Sequence, residues 1–200
     1  IVRNYGGLFI SDEVQTGFGR TGKRWFGIEH WEVEPDMMTM AKGMANGTPI
    51  GCTITRPEIA DSYKGLTIST FGGNPVTSVA AKATIDLIEE DRLMDHTETA
   101  GKRFREGLDA LKEKHASVGD VRGMGLMLGV ELVKDRKTKE PATDLANKVL
   151  GRARDNGLVI GKGGLYANVL RMSPPLNIPL ADIDQAVAIL DKSLAEAAKG

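Results

Sequence analysis

Apolar residues in this chain come first as short runs and then at helical spacing. "LFISDEV" (Leu8–Val14) sets three apolar residues ahead of two carboxylates and reads as a short buried strand. "DMMTMAKG" (Asp36–Gly43) predicts a second strand and "IGCTIT" (Ile50–Thr55) a third. Runs of this length between Gly- and Pro-containing loops suit a mostly parallel sheet covered on both faces. The pattern then changes period. "NPVTSVAAKATIDLIEEDRL" (Asn74–Leu93) is helical, with Pro75 in the first turn and Leu87, Ile88 and several alanines forming a packing face. In "HTETAGKRFREGLDALKEKH" (His96–His115), Phe104, Leu108 and Leu111 recur at helical spacing. "VGDVRGMGLMLGVELV" (Val118–Val133) is a strand region interrupted by glycines. "TDLANKVLGRARDNG" (Thr143–Gly157) is a helix stopped by Gly157. "LVIGKGG" and "NVLRMSPPL" predict further short strands, and a last amphipathic helix opens near Asp182.

The predicted fold class is α/β. Residues 1–92 read as the closing part of a mostly parallel sheet with helices, 93–115 as a connecting helix, and 116–200 as a small α+β domain. Composition narrows the picture only a little. The 200 residues carry 26 Lys+Arg and 27 Asp+Glu, a formal net charge of -1, so no basic surface points to nucleic acid. No apolar segment is long enough to span a bilayer. A lone cysteine, Cys52, excludes an intrachain disulfide. The chain opens at Ile1 without a signal-peptide pattern, from which a processed or truncated chain is expected, cytoplasmic in location with a mitochondrial one left open.

Four features carry candidate chemistry, and each has a plainer reading. Asp12 ends an apolar strand, where a cap or loop carboxylate is the commoner fate. Lys42 follows another such strand, where a solvated lysine is commoner. "STFGGNP" (Ser69–Pro75) puts two hydroxyls and two glycines before a helix, suited either to a phosphate or to an ordinary capped turn. Arg171 lies inside an apolar strand, where a structural ion pair would account for it. Strand ends of an α/β sheet gather at the edge where ligands bind. An Asp, a Lys and a phosphate turn at that edge meet the needs of pyridoxal 5'-phosphate: a partner for the ring nitrogen, an amine for the aldehyde, and a cradle for the phosphate.

"LFISDEVQTGFGRTG", "VEPDMMTMAKG", "STFGGNP" and "LRMSPPL", in this order, resemble the C-terminal half of the class III pyridoxal-phosphate aminotransferases, which have the fold type I architecture. The resemblance covers essentially the whole chain. It implies that Asp12 pairs with the ring nitrogen, Val14 packs on a ring face, and Gln15 stands near the ring hydroxyl. It implies that Lys42 is the Schiff-base lysine and that Arg171 binds the substrate carboxylate. It implies a homodimer, with Thr70 reaching the phosphate of the neighbouring subunit's cofactor. Glu13 and Arg20 share the first motif, and for both the expected role is to shape the glycine loop. The resemblance leaves out the family's preceding half, with its own phosphate-binding turn and stacking aromatic ring.

The expected activity is transfer of an amino group from an amino acid or amine to a 2-oxo acid or aldehyde, closest in look to alanine–glyoxylate enzymes. A phospho-lyase of the same family and a non-catalytic dimerisation fragment are the competing readings. His96 and His115 are expected to be solvated, Cys52 a small buried apolar residue, and Met37, Met38, Met40, Met124 and Met127 packing groups.

Overall fold

The computed structural model describes residues 1–199 and divides them into two compact units, Ile1–Met94 and one that begins at Asp95. The first unit is built on a three-stranded sheet of β1 (Ile10–Asp12), β2 (Met37–Met40) and β3 (Cys52–Thr55), in that order. β1 and β2 are parallel, with Ile10 opposite Met37 and Asp12 opposite Thr39. β3 runs antiparallel to β2, pairing Met40 with Cys52, so the sheet is mixed. β1 is shorter than expected and is not buried along its length: Ser11 is covered, while Ile10 and Asp12 are exposed. Alternation explains this, since Ile10 and Asp12 share one face of the strand and Ser11 and Glu13 take the other.

A single-turn helix, α1 (Pro57–Ala60), follows β3, and α2 (Pro75–Glu90) closes the unit. Asn74 caps α2, its side-chain oxygen accepting the Thr77 N–H at 3.1 Å, and Pro75 supplies the preset backbone angle of the first turn. α2 packs against one 3-10 turn, Lys42–Ala45; Thr77, Ala81 and Ile88 are its buried residues and Ala45 is the turn's.

The second unit is an antiparallel sheet with helices. Its strands are β4 (Val118–Met124), β5 (Met127–Leu132), β6 (Gly161–Gly163) and β7 (Val169–Met172), in the order β4-β5-β7-β6. Its helices are α3 (Leu93–Lys114), which starts at the division between the units, α4 (Thr143–Asp155) and α5 (Leu180–Ala197). Along β5, Leu128, Val130 and Leu132 are buried at every second position. They meet Phe104 and Leu108 of α3, Val149 of α4, and Ile183, Leu190 and Leu194 of α5 in one apolar core. Each such side chain contributes about 1.5–3 kcal/mol. α4 stops where Gly157 takes a φ of 93°.

Two histidines differ from expectation. His96 Nε2 lies 2.8 Å from the Ile178 carbonyl oxygen, and His115 Nε2 lies 2.6 Å from Asp191 of α5. Both are held by partners more than 70 residues away in sequence, which their polar helical surroundings do not betray. Cys52 is half-buried; of the five methionines expected to pack, only Met40 is buried and Met124 is exposed.

Candidate functional site

The parallel pairing of β1 and β2 sends the carboxyl ends of both strands to one edge of the sheet. Asp12 is the last residue of β1, and Lys42 stands two residues beyond the end of β2. Asp12 is exposed, and its Oδ1 accepts the Val14 N–H at 3.1 Å. Val14 is half-buried and Gln15 exposed, so this edge presents a carboxylate, an apolar side chain and an amide in sequence.

Lys42 is held in an unusual backbone state. Its φ is 41°, in the left-handed region where a side chain crowds its own backbone at a cost of about 1–3 kcal/mol. The turn that follows over-determines it. The Met44 N–H donates to the Ala41 carbonyl at 3.0 Å, the Thr48 N–H to the Ala45 carbonyl at 3.0 Å, and α2 covers the turn. Lys42 itself is exposed. Among the described residues no carboxylate pairs with the Lys42 amine and no cation pairs with Asp12. A carboxylate and an amine on neighbouring strand ends, neither committed to a protein ion, are the donor set that the ring nitrogen and aldehyde of pyridoxal phosphate require. The residues present fit the group.

Glu13 lies under this edge, 2% exposed. Its Oε1 accepts from the Ser11 hydroxyl at 2.9 Å and the Ile28 N–H at 2.8 Å. Its Oε2 accepts from the Gly27 N–H at 2.7 Å and from the Thr16 hydroxyl. Burial alone would push this carboxyl up, but the bonds from Thr16, Ile28, Gly27 and Ser11 together hold it below its ordinary value. The expected role in shaping the glycine loop is what the structure shows for Glu13.

A second buried carboxylate went unmarked in the sequence. Asp36, just before β2, is 2% exposed. Its Oδ2 accepts the Phe9 N–H at 2.7 Å and lies 3.3 Å from Arg3 Nε; its Oδ1 lies 2.8 Å from an Arg56 nitrogen. The Phe9 N–H first, and then the two guanidinium groups, hold the Asp36 carboxyl below its usual range against the opposing effect of burial. Nothing local in "VEPDMM" signals this role, because the partners come from before β1 and after β3.

Thr70 is exposed in the loop between α1 and α2, and no described residue hydrogen-bonds its side chain. The loop and the start of α2 carry an exposed apolar series: Leu66, Ile68, Phe71, Val76 and Val79. Arg171 belongs to the second unit, on β7. It is exposed between buried Leu170 and Met172. Its register partners are Gly129 on β5 and Gly161 on β6, so no side chain flanks it on either neighbouring strand. No structural ion pair accounts for it among the described residues. It borders a cleft of about 430 Å³ lined by apolar side chains that include Phe104, Leu158, Ile160 and Ile178.

The sequence profile of the family described as Aminotransferase class-III matches residues 1–194. The mitochondrial alanine–glyoxylate aminotransferase 2 homolog 2 of Arabidopsis thaliana is 47% identical over 98% of this chain and 41% of its own length. A leucine/methionine racemase of Thermococcus litoralis is 46% identical over 100% of this chain and 45% of its own length. An Arthrobacter phospholyase, solved in complex with phosphoethanolamine, superposes with a TM-score of 0.91 at 38% identity, over 96% of this chain and 46% of that one. The chain thus spans less than half the length of the proteins it resembles.

Proposed function

Because the chain belongs to the class III aminotransferases, a family of pyridoxal-phosphate enzymes, we propose that it carries the lysine, ring-carboxylate and arginine portion of a transaminase site. The supporting observation is the common strand edge: Asp12 ends β1 and Lys42 follows the end of its parallel neighbour β2, each free of a protein counter-ion. On this reading residues 1–92 are the C-terminal part of the cofactor domain, 93–115 the connecting helix, and 116–200 the small domain.

Bound pyridoxal phosphate supplies an electron sink for the substrate α-carbon. Asp12 pairs with the ring nitrogen and keeps it protonated. Lys42 anchors the cofactor through its amine and then moves a proton at the α-carbon. Val14 packs on the ring and Gln15 meets its hydroxyl group. The guanidinium of Arg171 takes the substrate carboxylate in bidentate fashion, a task for which an arginine without a protein partner is suited. The amino donor is an amino acid and the acceptor a 2-oxo acid or aldehyde, with alanine and glyoxylate as the pair chosen. A racemase and a phospho-lyase among the relatives carry competing chemistries. No helix among the described residues is long and apolar enough to cross a membrane, and a cytoplasmic location belongs to the proposal.

The chemistry is tested by supplying the full-length native protein with pyridoxal phosphate, L-alanine and glyoxylate. Pyruvate and glycine in equal amounts are expected. Racemised alanine without pyruvate, or phosphate released from phosphoethanolamine without amino transfer, overturns the assignment.

The proposal extends to a homodimer in which Thr70 serves the partner's site. The exposed apolar series around Thr70 supports an interface there. When Lys42→Ala and Thr70→Ala subunits are exchanged, a hybrid dimer collects both lesions in one site and leaves the other intact, so activity should return. Hybrids as inactive as their parents would place Thr70 in its own subunit's site.

A further inference from the structure

We propose that Glu13 is a positioning residue for the cofactor: its buried carboxylate sets where Asp12, Val14 and Gln15 stand, without itself touching a reacting atom. The inference rests on the cofactor site proposed above and adds a residue to it.

Four donors from three places converge on one side chain. Ser11 comes from β1, Thr16 from the glycine turn, and Gly27 and Ile28 from the start of the 3-10 helix Gly27–Trp31. Each carboxylate oxygen receives two of them. The backbone of Glu13 is tied as well. Its N–H donates to the Thr39 carbonyl of β2 at 2.9 Å, and its carbonyl accepts the Gly17 N–H at 2.9 Å. Glu13 is therefore the node where β1, β2, the turn and the 3-10 helix meet.

The residues on either side inherit this fixation. Glu13 faces inward, so strand alternation turns Asp12 outward to the opposite face. The Val14 N–H that orients Asp12 is one peptide bond beyond Glu13 and two residues before Thr16, both of them anchored. Gly27 has no side chain where one would block the node: a Cβ there would lie 2.8 Å from the Thr16 Cβ and 3.3 Å from Glu13 Oε2. A glutamine at position 13 keeps the shape but turns one acceptor oxygen into a donor facing two donors. Segment 14–16 then loses its tether, and with it the geometry of the contacts to the ring.

The test uses the full-length native protein freed of cofactor, as wild type, Glu13→Gln, Thr16→Val and Thr16→Ser. Pyridoxal phosphate affinity is titrated by visible absorption, and the melting of the cofactor-free protein is recorded alongside. Glu13→Gln should weaken cofactor binding by about 10–100-fold, by analogy with the loss when a hydrogen-bond partner behind a metal ligand is removed. Thr16→Val should lose affinity in the same direction and Thr16→Ser, which keeps the hydroxyl, should regain it. If Glu13→Gln does not fold, the two Thr16 variants carry the test, since Thr16→Val removes one donor of four and Thr16→Ser keeps all four. Lowered melting with wild-type cofactor affinity in Glu13→Gln and Thr16→Val would reduce Glu13 to a structural residue and overturn the inference. A folded wild type that binds no pyridoxal phosphate would overturn the functional reading first and this inference with it, a result separable from the other because it needs no variant.

Discussion

Asp12 and Glu13 are adjacent in sequence and opposite in surroundings. Asp12 is exposed and accepts a single backbone N–H, whereas Glu13 is buried and accepts four donors. The contrast has a consequence for acid stability. The folded-state carboxyl of Glu13 lies below its ordinary value of 4.5. A group depressed on folding contributes stability that is fully present above its unfolded value and is lost as pH falls through the folded one. Denaturation midpoints of wild type and Glu13→Gln should therefore differ most at neutral pH and converge below pH 4.5. A gap that stays constant down to strongly acid solution would mean that the charge of Glu13 does not stabilise the fold. The sequence assigned Glu13 a part in shaping the glycine loop but none of its partners. Its donors at positions 16, 27 and 28 lie across a turn whose path no periodicity specifies.

At the scale of elements, the helices were the most legible. α2, α3, α4 and α5 follow the apolar spacing closely, and Pro75 and Gly157 mark ends where the structure has them. Strands were less so. β1 has three residues where a longer buried run was expected, because an apolar run does not state which face will be covered. The antiparallel course of β3 depends on the path of the connection, which composition does not encode. Close approaches between elements were not legible at all. Gly101, in α3, faces the turn between β4 and β5 so closely that a Cβ would lie 2.4 Å from the Gly125 carbonyl oxygen. Backbone cannot move aside as a flexible side chain can. Gly101→Ala should destabilise the protein by about 1–3 kcal/mol, the usual range for overpacking, even though alanine is the better helix former. Chemical denaturation reads this directly, and an unchanged midpoint would show that α3 and the turn separate at no cost.

The described residues form two units; Asp12 and Lys42 lie in the first and Arg171 in the second. The four candidate groups were legible because their motifs stand in a fixed order along the chain. Their lack of a protein counter-ion was not; it sets Arg171 apart from an ion-paired arginine, while Lys42 differs from an ordinary strand-end lysine in its left-handed backbone and not in its exposure. The central claim is that Lys42 is the residue that takes the cofactor. The direct measurement is to add pyridoxal phosphate to the full-length native protein, reduce with borohydride, digest, and locate the added mass by peptide mapping. A pyridoxyl group on Lys42, absent from Lys42→Ala, is expected. Label confined to other lysines, or retained undiminished in Lys42→Ala, would contradict it.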